Sequence, residues 1–371
     1  MYSLNSTWRR VGALALVAAM ATPLAACGSD NATGAKDSSS SSSSAAAYSG
    51  QIVGSGASSQ EAAQNAWKAA FTQANPDAKV TYDPVGSGAG IDQLASGQVN
   101  WAGSDAMLKD DERTAVEKTC GSPALHLPLY VSPVAVVFNL DGIEHLNLAP
   151  ETLAKIFAGQ ITKWNDPAIA ADNKAVTLPD LAITPVHRAD ESGTTANFTD
   201  YLHAAAPDAW PHEAAKSWPL PGGEAAPQTS GMISTVSGGK GTIGYADASQ
   251  AGKLGTAKLK AGDSFVAYSP ETAAAALDEA KPATDSDSDL GLTIDRKPTT
   301  DKAYPLILVS YEIVCQKYSD KSVADGIKAY MHYLASTDGQ KLAADNAGSA
   351  PLSADMAKKV NAAIDTITTS K

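Results

Sequence analysis

Apolar positions along the chain recur at two spacings. Over Glu61–Ala74 they fall at Ala63, Trp67, Ala70 and Phe71, a stripe on one face of a helix. Val323, Ile327, Tyr330, Met331 and Leu334 repeat that spacing near the C-terminus and predict a second long helix. Shorter helices are expected at Ile91–Ala95, closed by Gly97, at Pro150–Phe157, closed by Gly159, and at Asn197–Ala204. Between them lie short strand-like runs: Gln51–Val53, Lys79–Tyr82, Val99–Ala102, Ile183–Val186 and Thr242–Tyr245. Two runs, Leu127–Phe138 and Leu306–Val314, are longer and almost wholly apolar, and read as buried strands. Alternating strands and helices predict an α/β fold. The two long strands are the natural places for the chain to cross between two lobes. The first lobe would then hold residues 50–133 plus 305–371, and the second 134–304. Lys281–Asp301, rich in Asp, Ser, Thr and Pro, is expected to be an exposed loop, and no internal repeat is visible.

The 371 residues are 44% hydrophobic, enough to bury a core in each of two lobes. A formal net charge of -12 argues against a general nucleic-acid binder, which needs clustered Lys and Arg. The N-terminus changes the picture more. Arg9 and Arg10 precede the apolar stretch Val11–Met20, too short to span a bilayer, and Leu24-Ala25-Ala26-Cys27 follows. Small residues before a Cys at this point resemble the lipobox of bacterial lipoproteins, which implies removal of residues 1–26 and lipidation of Cys27; ordinary secretory cleavage beside a chance Cys is the alternative. Residues 27–49, with an unbroken serine run Ser38–Ser44, have the composition of a flexible tether. Cys120 and Cys315 remain, each beside one of the long apolar strands. An even count in an exported chain suggests a disulfide. If the two strands run antiparallel side by side the thiols meet at one end; otherwise they are two buried thiols.

The candidate chemistry lies in four Gly/Ser/Asp-rich segments, each after a strand. They are Gly54–Glu61, Gly86–Gly90, Gly103-Ser104-Asp105 and Val186–Thr195. Backbone N–H groups at helix N-termini, reached through small residues, make ready anion sites. In isolation the first is also a plain helix cap, since Ser58 and Glu61 have capping-box spacing. The second is also a flexible turn and the third an Asp cap. The fourth combines Arg188, Asp190, Ser192, Gly193 and Thr194. A guanidinium fork matches a tetrahedral oxyanion, and a carboxylate two residues away can orient it; a surface Arg–Asp pair is the plainer reading. There is no G-x-S-x-G elbow, Lys240 is followed by Gly241 rather than Ser or Thr, and the six His show no metal-ligand spacing. Nothing points to a cofactor, a metal or a catalytic centre.

At these residues the sequence resembles the phosphate-binding proteins of bacterial ABC phosphate transporters. The resemblance covers most of residues 51–350. It rests on GSGASS at 54–59, VGSGAGI at 85–91, AGSDAML at 102–108 and HRADESGTT at 187–195, with GQITKWND at 159–166 and GTIGYAD at 241–247 as structural segments. It implies a two-lobed periplasmic-binding-protein fold, type II-like, with two crossing hinge strands and a dehydrated phosphate in the interlobe cleft. It implies that Ser58 and Ser87 give hydroxyl and backbone donors, and Ser59 its backbone N–H. Arg188 pairs with the ligand, held by Asp190, while Ser192, Gly193 and Thr194 donate from a helix start. Asp105 accepts a ligand proton. Ser59 departs from the aromatic residue many members carry. An ionised carboxylate only accepts hydrogen bonds, so it favours an anion that brings a proton and rejects sulfate. The implied role is that of a monomeric, lipid-anchored, extracytoplasmic binding protein serving membrane permease subunits. A binder of another oxyanion, a phosphate sensor and a secreted phosphatase are the alternatives.

Overall fold

The computed structural model describes residues 48–370; the expected signal (1–26), Cys27 and most of the Ser-rich stretch lie outside the described residues. Tyr48, assigned from sequence to the tether, is buried, and its backbone N–H donates to Asn75 Oδ1 at 2.9 Å. Among the described residues no helix is long and apolar enough to cross a membrane.

The α/β reading holds. A mixed sheet of eleven strands runs through the described chain. Gly50–Gly56 lies parallel between Ala78–Asp83 and Trp101–Ser104. Trp101–Ser104 pairs antiparallel with Ile307–Cys315, which pairs antiparallel with Ala124–Phe138. The sheet continues through Thr242–Asp247, Thr184–Arg188 and Glu224–Ala226.

Ala124–Phe138 joins the two ends of this sheet. Its first part, Ala124 to Pro133, pairs with Ile307–Cys315, and its last part, Val134 to Phe138, pairs with Thr242–Asp247. All fifteen of its residues are buried, which is why it reads in sequence as a continuous apolar run rather than an alternating one. Ladder register between the two long strands shifts between Ser310 and Tyr311, where Pro128, without an N–H, stands opposite Tyr311. The antiparallel pairing brings Cys315 opposite Ala124, and Cys315 is bonded to Cys120, the last residue of helix Asp110–Cys120, with Cα atoms 5.4 Å apart. The conditional disulfide expectation is met.

Helices Glu61–Ala74 and Lys321–Ala335 form as predicted, with Trp67, Phe71, Tyr330 and Met331 buried. Two expectations need correction. The helix expected from Ile91 begins at Ser87, so the glycine-rich segment is its first turn rather than a loop. Lys281–Asp301 is not simply exposed: Asp289 and Arg296 within it are buried. Asp289 Oδ1 accepts from the His126 backbone N–H at 2.9 Å, and Arg296 Nε donates to Asp200 Oδ2 at 2.7 Å. Composition marks a solvated loop, but each charge here has a partner distant in sequence that composition does not reveal.

Candidate functional site

The four segments converge. Strand Gly50–Gly56 runs into a single turn, Ser58–Gln60, that leads into helix Glu61–Ala74. Ser58 makes no helix-capping hydrogen bond. Its Oγ instead accepts from Arg188 Nη2 at 3.2 Å and from the Thr229 N–H at 3.0 Å, and lies 2.9 Å from Thr229 Oγ1. The capping-box alternative is therefore set aside: residues remote in sequence claim this hydroxyl.

Arg188 ends strand Thr184–Arg188 and is 4% exposed. Its guanidinium grips Asp190 in a two-point fork, Nε to Oδ1 at 2.8 Å and Nη2 to Oδ2 at 2.5 Å. Burial alone would push the Asp190 carboxyl up. The Arg188 fork, with the Gln228 N–H at 2.9 Å, outweighs it and holds Asp190 below its ordinary value. The pair keeps a desolvated cation aimed and ionised inside the fold. Gly86 has φ of +103°, and a Cβ there would come within 2.4 Å of Asp190 Oδ2. The glycine is needed both for its backbone angle and for this close approach.

Ser87 and Gly193 begin two different helices. Ser87 Oγ accepts from the N–H of Gly193 at 3.1 Å and from the N–H of Asp105 at 3.3 Å. Ser192 is the N-cap of helix Gly193–Ala205, its hydroxyl accepting from the Thr195 N–H at 3.2 Å, while its own N–H donates to the Lys216 carbonyl at 3.0 Å. Ser192 thus serves the helix start rather than touching the other candidates with its side chain.

Asp105, 4% exposed, follows strand Trp101–Ser104 and receives three hydroxyls. Ser59 and Ser310 both donate to Oδ1 at 2.6 Å, and Thr194 donates to Oδ2 at 3.0 Å. Burial pushes its carboxyl up, and Ser310, Ser59, Thr194 and the positive charge of Arg188 oppose this without cancelling it. Ser59 contributes its hydroxyl here, a contact the sequence reading did not foresee. Ser310, Thr229 and Gln250, whose Nε2 donates to the Ser58 carbonyl at 3.3 Å, were missed altogether. Ser310 could have been found: it and Glu312 are polar residues two apart in an otherwise apolar run. Thr229 and Gln250 carry no comparable signal.

A fixed guanidinium, a helix N-terminus with small residues and an acceptor carboxylate form one buried set. Such a set can bind a compact anion and order its protons. Among the described residues, no group of three or more His, Cys, Asp or Glu could hold a metal ion.

A model of the PBP superfamily domain matches residues 41–338. Phosphate-binding protein PstS3 of Mycobacterium bovis strain BCG is 37% identical over 364 residues, covering 96% of this chain and 98% of its own length. PstS2 of the same strain is 34% identical over 97% of this chain and 99% of its own. Among solved structures, a high-affinity periplasmic phosphate-binding protein with bound phosphate aligns with a TM-score of 0.70 at 22% identity, covering 84% of this chain and 93% of that one. A phosphate-binding protein from Stenotrophomonas maltophilia aligns at 0.64 and 18%, over 85% and 94%. The two-lobed periplasmic-binding-protein fold follows, and with it the family: the chain belongs to the PstS phosphate-binding proteins of the PBP superfamily.

Proposed function

We propose that this chain binds inorganic phosphate between a lobe of residues 50–133 plus 305–371 and a lobe of 134–304, and delivers it to an ABC-type permease. The observation that carries the reading is the pairing of the Arg188–Asp190 fork with the buried acceptor Asp105, on elements on opposite sides of the two long strands. Ser58, Ser59, Ser87, Ser192, Gly193 and Thr194 supply the remaining donors, and Ser192 also holds the helix start. Phosphate near neutral pH carries a proton for Asp105 and negative oxygens for Arg188. Sulfate carries no proton and would set two negative groups face to face in a desolvated site. Losing such a hydrogen bond to a charged group costs about 1.5–3 kcal/mol, more than tenfold in affinity.

The role is binding without turnover, outside the cytoplasmic membrane, by a monomer tethered through lipid on Cys27. PstS relatives named as phosphate-binding proteins, matching nearly end to end, support the ligand; the family resemblance supports the transporter, and the Cys27 context in the sequence supports the anchor. Calorimetric titration of the purified chain with phosphate, and with sulfate as competitor, tests the reading. Saturable heat with phosphate, untouched by millimolar sulfate, is the expected result; no heat with phosphate refutes it.

A further inference from the structure

Asp105 is linked to a second buried carboxyl, Glu312, through Ser310 and two glutamines, Gln60 and Gln64, that take no part in the contacts above. The direction of each hydrogen bond on the way can be assigned from donor and acceptor chemistry. Tyr330, buried on helix Lys321–Ala335, donates its hydroxyl to Gln64 Oε1 at 2.9 Å. Gln64 Nε2 then donates to Gln60 Oε1 at 2.9 Å and to Glu312 Oε1 at 2.7 Å. Gln60 is left with its amide nitrogen toward Ser310, and Nε2 lies 2.6 Å from Oγ. An amide nitrogen only donates, and a hydroxyl has one proton. Ser310 therefore accepts from Gln60 and spends its own proton on Asp105 Oδ1 at 2.6 Å. The opposite direction needs both amides turned over, Glu312 donating, and a proton on Asp105.

Placement supports the assignment. Ser310 and Glu312 are two apart on one strand and so share a face, turned toward Gln60 and Gln64 one helical turn apart. The register shift beside Ser310 places its extra residue, Leu129, on the partner strand, so the alternation from Ser310 to Glu312 is unbroken. Three of the four acceptor positions of the Asp105 carboxylate are taken by Ser59, Ser310 and Thr194, leaving one for a ligand hydroxyl. Burial pushes Glu312 up to about 8; the Trp101 indole and Gln64 offset only part of this, and the charge of Asp105 adds to it. Arg188, Glu312 and Tyr82 are the ionisable groups facing Asp105, and Asp105, Tyr82 and Tyr330 those facing Glu312. Burial raises both carboxyls, but at Asp105 three hydroxyl donors and the charge of Arg188 oppose that rise.

We propose that Tyr330, Gln64, Gln60 and Ser310 form a one-directional relay that fixes Ser310 as a donor to Asp105 and so holds that carboxylate as an acceptor, making Ser310 a positioning residue for discrimination between protonated and unprotonated tetrahedral oxyanions. This rests on the phosphate-binding reading. The test titrates phosphate, and sulfate in competition, into the full chain and its Ser310→Ala, Ser310→Thr and Gln60→Met variants from pH 5 to 9, with thermal melts as a fold control. Ser310→Ala is expected to lower phosphate-over-sulfate discrimination about tenfold at pH 7, the size of one hydrogen bond to a charged group. It should also move the acid-side loss of discrimination about one unit toward neutral, the same tenfold expressed as a pKa. Ser310→Thr restores both, and Gln60→Met shifts them in the same direction as Ser310→Ala. If folded Ser310→Ala and Gln60→Met keep the parent's discrimination and pH profile, the relay is overturned even if affinity has changed. If the parent itself binds no phosphate, the functional reading falls first and the relay's role with it.

Discussion

The contact most open to a decisive mutation lies outside the anion site. Lys216, whose side chain is 3% exposed, is ion-paired with Glu112, 17% exposed, at the start of helix Asp110–Cys120. Glu112 also accepts the Lys109 N–H at 2.9 Å, so the helix start holds it in place. The Lys216 carbonyl receives the Ser192 N–H at 3.0 Å, which ties Lys216 to the N-cap of helix Gly193–Ala205. In the proposed lobe division Glu112 belongs to the first lobe and Lys216 to the second, and the pair can be made only when they meet. Lys216→Met removes the cation while keeping most of its apolar stem. One hydrogen bond between charged groups contributes about 1.5–3 kcal/mol when buried. At about 1.4 kcal/mol per decade, phosphate affinity should fall roughly 10- to 150-fold. The pair forms after encounter, so the loss should appear in the release rate and leave association nearly unchanged. Being buried, it should depend little on salt. Stopped-flow displacement of bound phosphate measures this directly. Glu112→Gln should have a similar effect, and the double variant should be no worse than either single one. An unchanged release rate in folded Lys216→Met would refute the latch.

Three other outcomes are expected. Asp105→Asn should let sulfate compete with phosphate in calorimetry, because an amide can donate to an unprotonated oxyanion where the carboxylate could only repel it; selectivity equal to the parent's would refute the role of Asp105. Stability should fall as pH rises from about 4 to 8. Burial raises Asp247 from 3.8 to about 7 and Glu312 from 4.5 to about 8, so the folded chain binds more protons across that window. For Asp247 the full effect is at most ~4 kcal/mol, and Asp247→Asn should flatten this part of the melting-temperature profile. Asp190 acts with the opposite sign, its contribution being lost only as pH falls below 3.8 toward its lowered value. Reducing the Cys120–Cys315 bond, which closes a sequence separation of 195, should cost about 2–5 kcal/mol, read as a drop in melting temperature with dithiothreitol.

Local physics made much of this protein legible from its sequence alone. Helix Glu61–Ala74 was visible because burial repeats every turn. The long strands were visible because a strand covered on both faces has no polar alternation to break the run. Arg188 and Asp190 stood out as a guanidinium with an orienting carboxylate beside glycine and hydroxyls, whereas Asp105 read by itself as a cap and took its expected role from the family resemblance. What the sequence could not assign was partnership at long separation. Ser58 has the spacing of a cap, and only the approach of Arg188 and Thr229 diverts its hydroxyl from the helix start. Ser59 lacks the aromatic ring expected of it, and only the position of Asp105 shows what its hydroxyl does instead. Asp289 and Arg296 sit in a segment with loop composition, yet each is buried against a residue far away in the chain. Ser310 donates to a carboxylate 205 residues distant, in a direction set by two glutamines and a tyrosine from one turn and two helices. Periodicity reports which face of an element is buried. Which polar groups meet there depends on how the elements pack, and a hydroxyl or amide can serve as donor or acceptor until its neighbours are in place.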